Sequence, residues 1–163
     1  MIDRNDTPEL DDARYVLPIV RPEPMKGITG IVIAKQWVGR NVHWNGKRNV
    51  SCLGSDDCKH CERWKPQWVG FLPLQGRRSN RVMLVQFTKN CYPQMKALFD
   101  DKESMLGWVI RFQRLGQRKN SPLQADVLGR EFVKEELSMS NLHGCVERIF
   151  QESAKRPIQG RLI

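Results

Sequence analysis

The sequence predicts a mainly β protein with minor α: a small Greek-key barrel with an inserted loop, one helix before the last strands and a closing helix. Three observations predict it. Short Ile- and Val-rich runs recur between turn signals, only two stretches carry a helical apolar period, and no helix separates each strand from the next as a parallel sheet requires. The 163 residues suit one ordinary core and are short for two.

Taken in order, residues 1–25 read as an acidic, largely disordered arm and an extended approach. Met1 to Arg14 is polar and nearly free of large apolar residues. Tyr15 to Val20 can form a short strand, and Pro18, Pro22 and Pro24 keep the rest extended and poorly paired. The domain spans residues 26–152. Gly27 to Lys35 is a strand with a bulge or strong bend at Gly30, and Asn41 to Trp44 is a second that ends on the Asn45-Gly46 turn. Gln67 to Leu74 and Arg81 to Thr88 follow, joined by the tip Gly76 to Asn80. Tyr92 to Asp101 is helical, with Met95, Leu98 and Phe99 on one face behind Pro93. Trp108 to Leu115 and Leu123 to Leu128 are the last strands, linked by Gly116 to Ser121. Leu142, Cys145, Val146, Ile149 and Phe150 then form one helical stripe after a Ser140 or Asn141 cap. Residues 153–163 are a short basic tail. The run of short strands with one internal helix fits an OB-like barrel.

Lys and Arg number 27 against 18 Asp and Glu, a net charge of +9. That figure averages unlike parts. Met1 to Arg14 carries five acids and two bases, whereas Lys26 to Lys119 carries eighteen bases and six acids. A basic middle argues for a polyanionic partner, nucleic acid or an anionic membrane surface. Ile28 to Ala34, the longest apolar stretch, is too short to cross a bilayer, and the N-terminus has no apolar signal core. The expected location is therefore the cytoplasm.

Five cysteines without an export signal point to reduced thiols. Three cluster at Cys52, Cys58 and Cys61, and His43 lies just upstream. Three thiolates and one imidazole make a closed structural zinc set, with the Cys-x-x-Cys turn supplying two ligands from one tight loop, so residues 43–64 read as a zinc loop. His60 and Cys91 are rivals for the fourth position. A redox Cys-x-x-Cys lacks the strand-to-helix surroundings it needs. His60-Cys61-Glu62 mimics half of a zinc deaminase motif, but there the cysteine pair follows the glutamate. No P-loop, dinucleotide-binding glycine set or hydrolase triad order is present, which favours a non-enzymatic role. Cys145, on the closing stripe, reads as core.

Aromatic and basic residues interleave around the loop: Trp37, Arg40, Trp44, Lys47, Arg48, Trp64, Lys65 and Trp68. Cations along phosphates and flat rings under bases are how single strands are held. Trp37, Trp44 and Trp64 sit in polar, loop-like stretches and are the better surface candidates, while Trp68, Phe71 and Trp108 lie on strands where a core role competes. Two basic tips extend the same surface, Arg77, Arg78 and Arg81 on one and Arg111, Arg114, Arg118 and Lys119 on the other.

His43, Cys52, Cys58 and Cys61, in that order and inside the strand run, resemble the zinc-containing single-stranded DNA-binding proteins of tailed phages. The resemblance covers about thirty residues, His43 to Phe71. It implies an OB fold, a structural zinc, binding of single-stranded DNA without catalysis, and work in replication, recombination or a mobile element of a bacterial or phage-infected cell. The family carries a basic N-terminal segment and an acidic tail; here the acids come first and the bases last. RNA is the second candidate ligand, and the acidic arm and the closing helix are candidate protein contacts. A zinc-ribbon adaptor that binds a protein or structured RNA is the alternative role, and a metal-dependent nucleic-acid enzyme comes third.

Overall fold

A computed structural model describes residues 17–54, 56–119 and 121–155. The acidic arm and most of the basic tail lie outside the described residues. The chain runs β1 (Ile19–Val20), β2 (Ile28–Val32), β3 (Val38–Trp44), β4 (Asn49–Ser51), β5 (Gln67–Gln75), β6 (Val82–Thr88), α1 (Tyr92–Phe99), β7 (Trp108–Arg114), β8 (Leu123–Arg130) and α2 (Met139–Lys155). The protein is mainly β, and each strand and helix expected from the sequence is present within a few residues. The short strand β4 was not expected, because three half-buried residues carry no periodic signal.

One mixed sheet holds all eight strands in the order β1-β6-β5-β2-β7-β8, with β3 on β5 and β4 on β3. Strands β2 and β3 lie end to end along one edge of β5: Val32 opposes Leu74, and Val38 opposes Phe71. Residues 33–37 bulge out between them. Pro73 lies opposite this break. Its carbonyl accepts a bond from the Ile33 amide on that side, so its missing N–H also falls at the interruption, where the ladder loses least. The bend expected at Gly30 proves to be a close approach, since a Cβ there would lie 2.9 Å from the Gln75 carbonyl oxygen and from Leu74.

The strand order with a helix between β6 and β7 is OB-like, but the barrel is open. Among the described residues β6 and β8 share no ladder, because β1 occupies the outer edge of β6, pairing Ile19 with Leu84 in parallel.

Two cores lie on opposite faces of β5. Leu72 and Leu74 join Phe87, Met95, Ile110 and Phe112 inside, where α1 closes the base. Val69 and Phe71 point the other way and are covered by Leu142, Cys145 and Val146 of α2. The cap of α2 is Ser138, not Ser140 or Asn141: its hydroxyl accepts from the Asn141 amide and its carbonyl from that of Leu142. Cys145 is buried in this second core, as expected.

Leu142 is fully buried. Leu142→Ala should cost about 2–5 kcal/mol of stability in urea denaturation, whereas Phe132→Ser, at a side chain 89% exposed, should stay within about 0.5 kcal/mol of wild type.

Candidate metal centre and nucleic-acid interface

Local chain chemistry builds the metal centre. The β3–β4 hairpin turns at Asn45, whose side-chain oxygen accepts from the Lys47 and Arg48 amides at 3.0 Å each, with Gly46 at φ +92°. His43 sits opposite Val50 in this hairpin, and the Cys52 amide bonds back to the Asn41 carbonyl. Cysteine 52 is thereby held beside the histidine. A second turn follows at Gly54 (φ +98°), whose carbonyl accepts from the Cys58 amide, and the Cys58 carbonyl accepts from that of Cys61.

The four ligand atoms of His43, Cys52, Cys58 and Cys61 all lie within 4.8 Å of one another and can hold a metal ion. His43 Nε2 is 3.4 Å from Cys58 Sγ and 3.5 Å from Cys61 Sγ, and Cys52 Sγ is 3.5 Å from Cys61 Sγ. The imidazole is fully buried, and its Nδ1 has no hydrogen-bond partner among the described residues. Neither rival ligand joins the group. The His60 ring lies outside it, its centroid 6.1 Å from that of His43, against Trp64 at 5.6 Å. Cys91 is buried in the inner core, where burial pushes its thiol up to about 11.

The thiols respond to crowding without a countercharge. Backbone amides, Leu53's above all and then those of His60 and Cys61, hold Cys58 down at about 6. Burial, and then the sulfurs of Cys52 and Cys58, push Cys61 up to about 12. Several thiolates cannot share this space unless a cation stands between them.

The interleaved cations and rings divide into two groups. Four arginines are engaged by the protein itself. Arg40 pairs with Glu147, reaches Ser51 and lies over the Phe150 ring at 5.4 Å, tying α2 to β3. Arg77 pairs with Glu131, Arg111 lies 3.7 Å from Asp126, and Arg114 donates to the carbonyls of Pro22 and Ser121. Lys47, Lys65, Arg78, Arg81, Arg118 and Lys119 are exposed, and Arg48 is half-buried. Among the rings, Trp44 stands 49% exposed at the end of β3. Trp64 is half-buried between His60 and Arg63. Phe71 is core. Trp108 is half-buried between the Lys102 and Arg130 cations.

Trp37, expected on a free surface, is half-buried against Phe87 and Tyr92, with centroids at 5.8 and 5.9 Å. Trp68 packs on the same two rings at 5.6 and 5.2 Å. It covers Gly39 on the neighbouring strand so closely that a Cβ there would fall 2.5 Å from the indole.

Trp68 also lines a cleft of about 700 Å³ between the metal loop and the β7–β8 loop, with Asn41, Lys65, Lys89, Arg114 and Ser121 around it. The β5–β6 tip does not line this cleft, so the two basic tips do not converge there. Lys89 and Tyr92 were not singled out in the sequence. Lys89 follows a strand with no basic neighbour, and Tyr92 looks like any residue before a helix-opening Pro93.

Comparison with family models, with curated proteins and with solved structures finds no match to this chain.

At neutral pH Cys61, held up at about 12, keeps its proton until a metal arrives, so loading should release protons. Acid competes for the same sulfurs. Metal affinity should therefore fall steadily as pH falls, read by transfer of the metal to a chromophoric chelator across a pH series; an affinity flat between neutral and acid pH would contradict this assignment.

Proposed function

We propose that this protein binds single-stranded DNA without catalysis and with little sequence preference, its metal loop stapled by a structural zinc. The cleft between the metal loop and the β7–β8 loop carries the reading. Its lining offers Lys65, Lys89 and the indole of Trp68, beside an Arg114 already bonded to the Pro22 and Ser121 carbonyls, and no carboxylate. Cations without countercharge track phosphates, and an aromatic ring accepts any base by its face, each stacked base contributing about 1–3 kcal/mol. A duplex would have to unstack to use that ring.

Zinc suits the donor set. With metal–sulfur bonds of about 2.3 Å and metal–nitrogen bonds of about 2.0–2.1 Å, a tetrahedral site has edges of roughly 3.5–3.8 Å, close to the 3.4–3.5 Å of three of the donor pairs, all four donors lying within 4.8 Å of one another. Four protein ligands fill a tetrahedral site and leave no position for a reactive water, which favours a structural over a catalytic role. Binding would contribute on the order of 10 kcal/mol to the fold of the loop, where the exposed residues include Leu53, Gly54, Asp56, Asp57 and Lys59. The similarity to the zinc-containing phage proteins rests on the same four positions, and a part in replication, recombination or a mobile element goes with it.

One observation favours the adaptor reading: Trp44 and Leu53, 49% and 71% exposed, crown the metal loop and would suit a protein contact.

Anisotropy with labelled oligo-dT across a salt series tests the main reading. About five phosphate contacts give a log–log slope near −3.5. Lys65→Glu with Lys89→Glu should weaken binding at least tenfold and flatten that slope. Absent or salt-independent binding by the wild type would sink the proposal, and a Trp44→Ala variant that loses a protein ligand but no DNA affinity would favour the adaptor.

A further inference from the structure

A second cleft, about 420 Å³ in volume, adjoins the first across an aromatic wall. Tyr92, 37% exposed, stands between Trp68, 5.2 Å away on the first cleft, and Trp37, 5.9 Å away on the second, with Phe87 packed against both indoles. The rings are continuous from one cleft to the other. The two linings differ in charge. Among charged side chains the first offers cations only, whereas the second mixes Lys35 and Lys96, and a Lys102 already bonded to the Leu98 carbonyl and the Asp101 carboxylate, with the exposed carboxylates of Asp100 and Glu103.

Carboxylates repel phosphates, so this second lining is less suited than the first to tracking a backbone. It is suited to the edge of a base. A carboxylate accepts hydrogen bonds from an exocyclic amino group, whereas on thymine it meets only the ring N3–H between two carbonyls that repel it, while a lysine nearby can take the flanking phosphate.

We propose that a bound strand passes from the first cleft over Tyr92 and places one base in the second cleft, against Trp37, and that this subsite favours a base with an exocyclic amino group over thymine. Asp100 and Glu103 are its hydrogen-bond acceptors. The inference rests on the single-strand reading and adds a local base preference at one end of an otherwise indifferent site.

The test takes the shortest oligo-dT that reaches full affinity and replaces its 5′ or its 3′ terminal base by cytosine. Wild-type protein should bind one of the two cytosine-ended strands about tenfold tighter than oligo-dT, the size of one good base contact. Asp100→Ala combined with Glu103→Ala, both exposed positions whose replacement leaves the core alone, should erase that gain without weakening binding of oligo-dT. No gain at either end, or a gain that survives the double variant, overturns the subsite while oligo-dT binding leaves the single-strand reading standing. If the wild type binds no oligonucleotide, both fall.

Discussion

Strand β5 is the constraint from which the rest of the structure follows. It pairs with β3 along its first half, with β2 along its second, and with β6 along seven residues of its other edge. Its side chains alternate between two cores, Val69 and Phe71 toward α2, Leu72 and Leu74 toward α1 and the inner face. A strand buried on both faces reads as a continuous apolar run, which is how residues 67–74 appear in the sequence. The metal loop ends where β5 begins, so the strand that organises both cores also carries Trp68 to the floor of the cleft.

The metal loop is held on different terms. Its outer residues are largely exposed, and its geometry comes from two glycine turns, the first of them capped by the Asn45 side chain, and the convergence of four donors. Backbone amides hold the Cys58 thiol down while burial and the neighbouring sulfurs push that of Cys61 up, and a cation among the four donors would relieve that crowding. A loop without a core of its own and a domain with two cores are thus joined through β3 and β5, with α2 packed against β4.

The charge of the basic middle is divided in the same way. Arg40, Arg77, Arg111 and Arg114 engage carboxylates, carbonyls and a ring of the protein, while the other cations of the first cleft, Lys65 and Lys89, are lysines. Arginine's planar fork suits multidentate internal partners, and lysine's mobile ammonium suits a ligand whose phosphates vary in position. Counting charges along the chain finds the excess and cannot tell these two uses apart.

The sequence by itself determined what depends on near neighbours. The spacing of Cys52, Cys58 and Cys61 puts three thiols in one loop, and His43 on the adjoining strand completes the set. The alternation and helical periods place the strands and both helices to within a few residues, because each element's buried face repeats along the chain. The cap of α2 was misplaced by two or three residues, since serines and an asparagine in one turn offer equivalent side chains and only backbone direction chooses among them. Tertiary structure alone decided that the barrel stays open, because β1 reaches the edge of β6 from more than sixty residues away. It also decided that Trp37, Trp68 and Tyr92 form one wall. They come from a bulge, a strand and a helix start, and their meeting depends on the β3–β5 register and on Gly39 leaving room for an indole, relations between distant segments that no local period records.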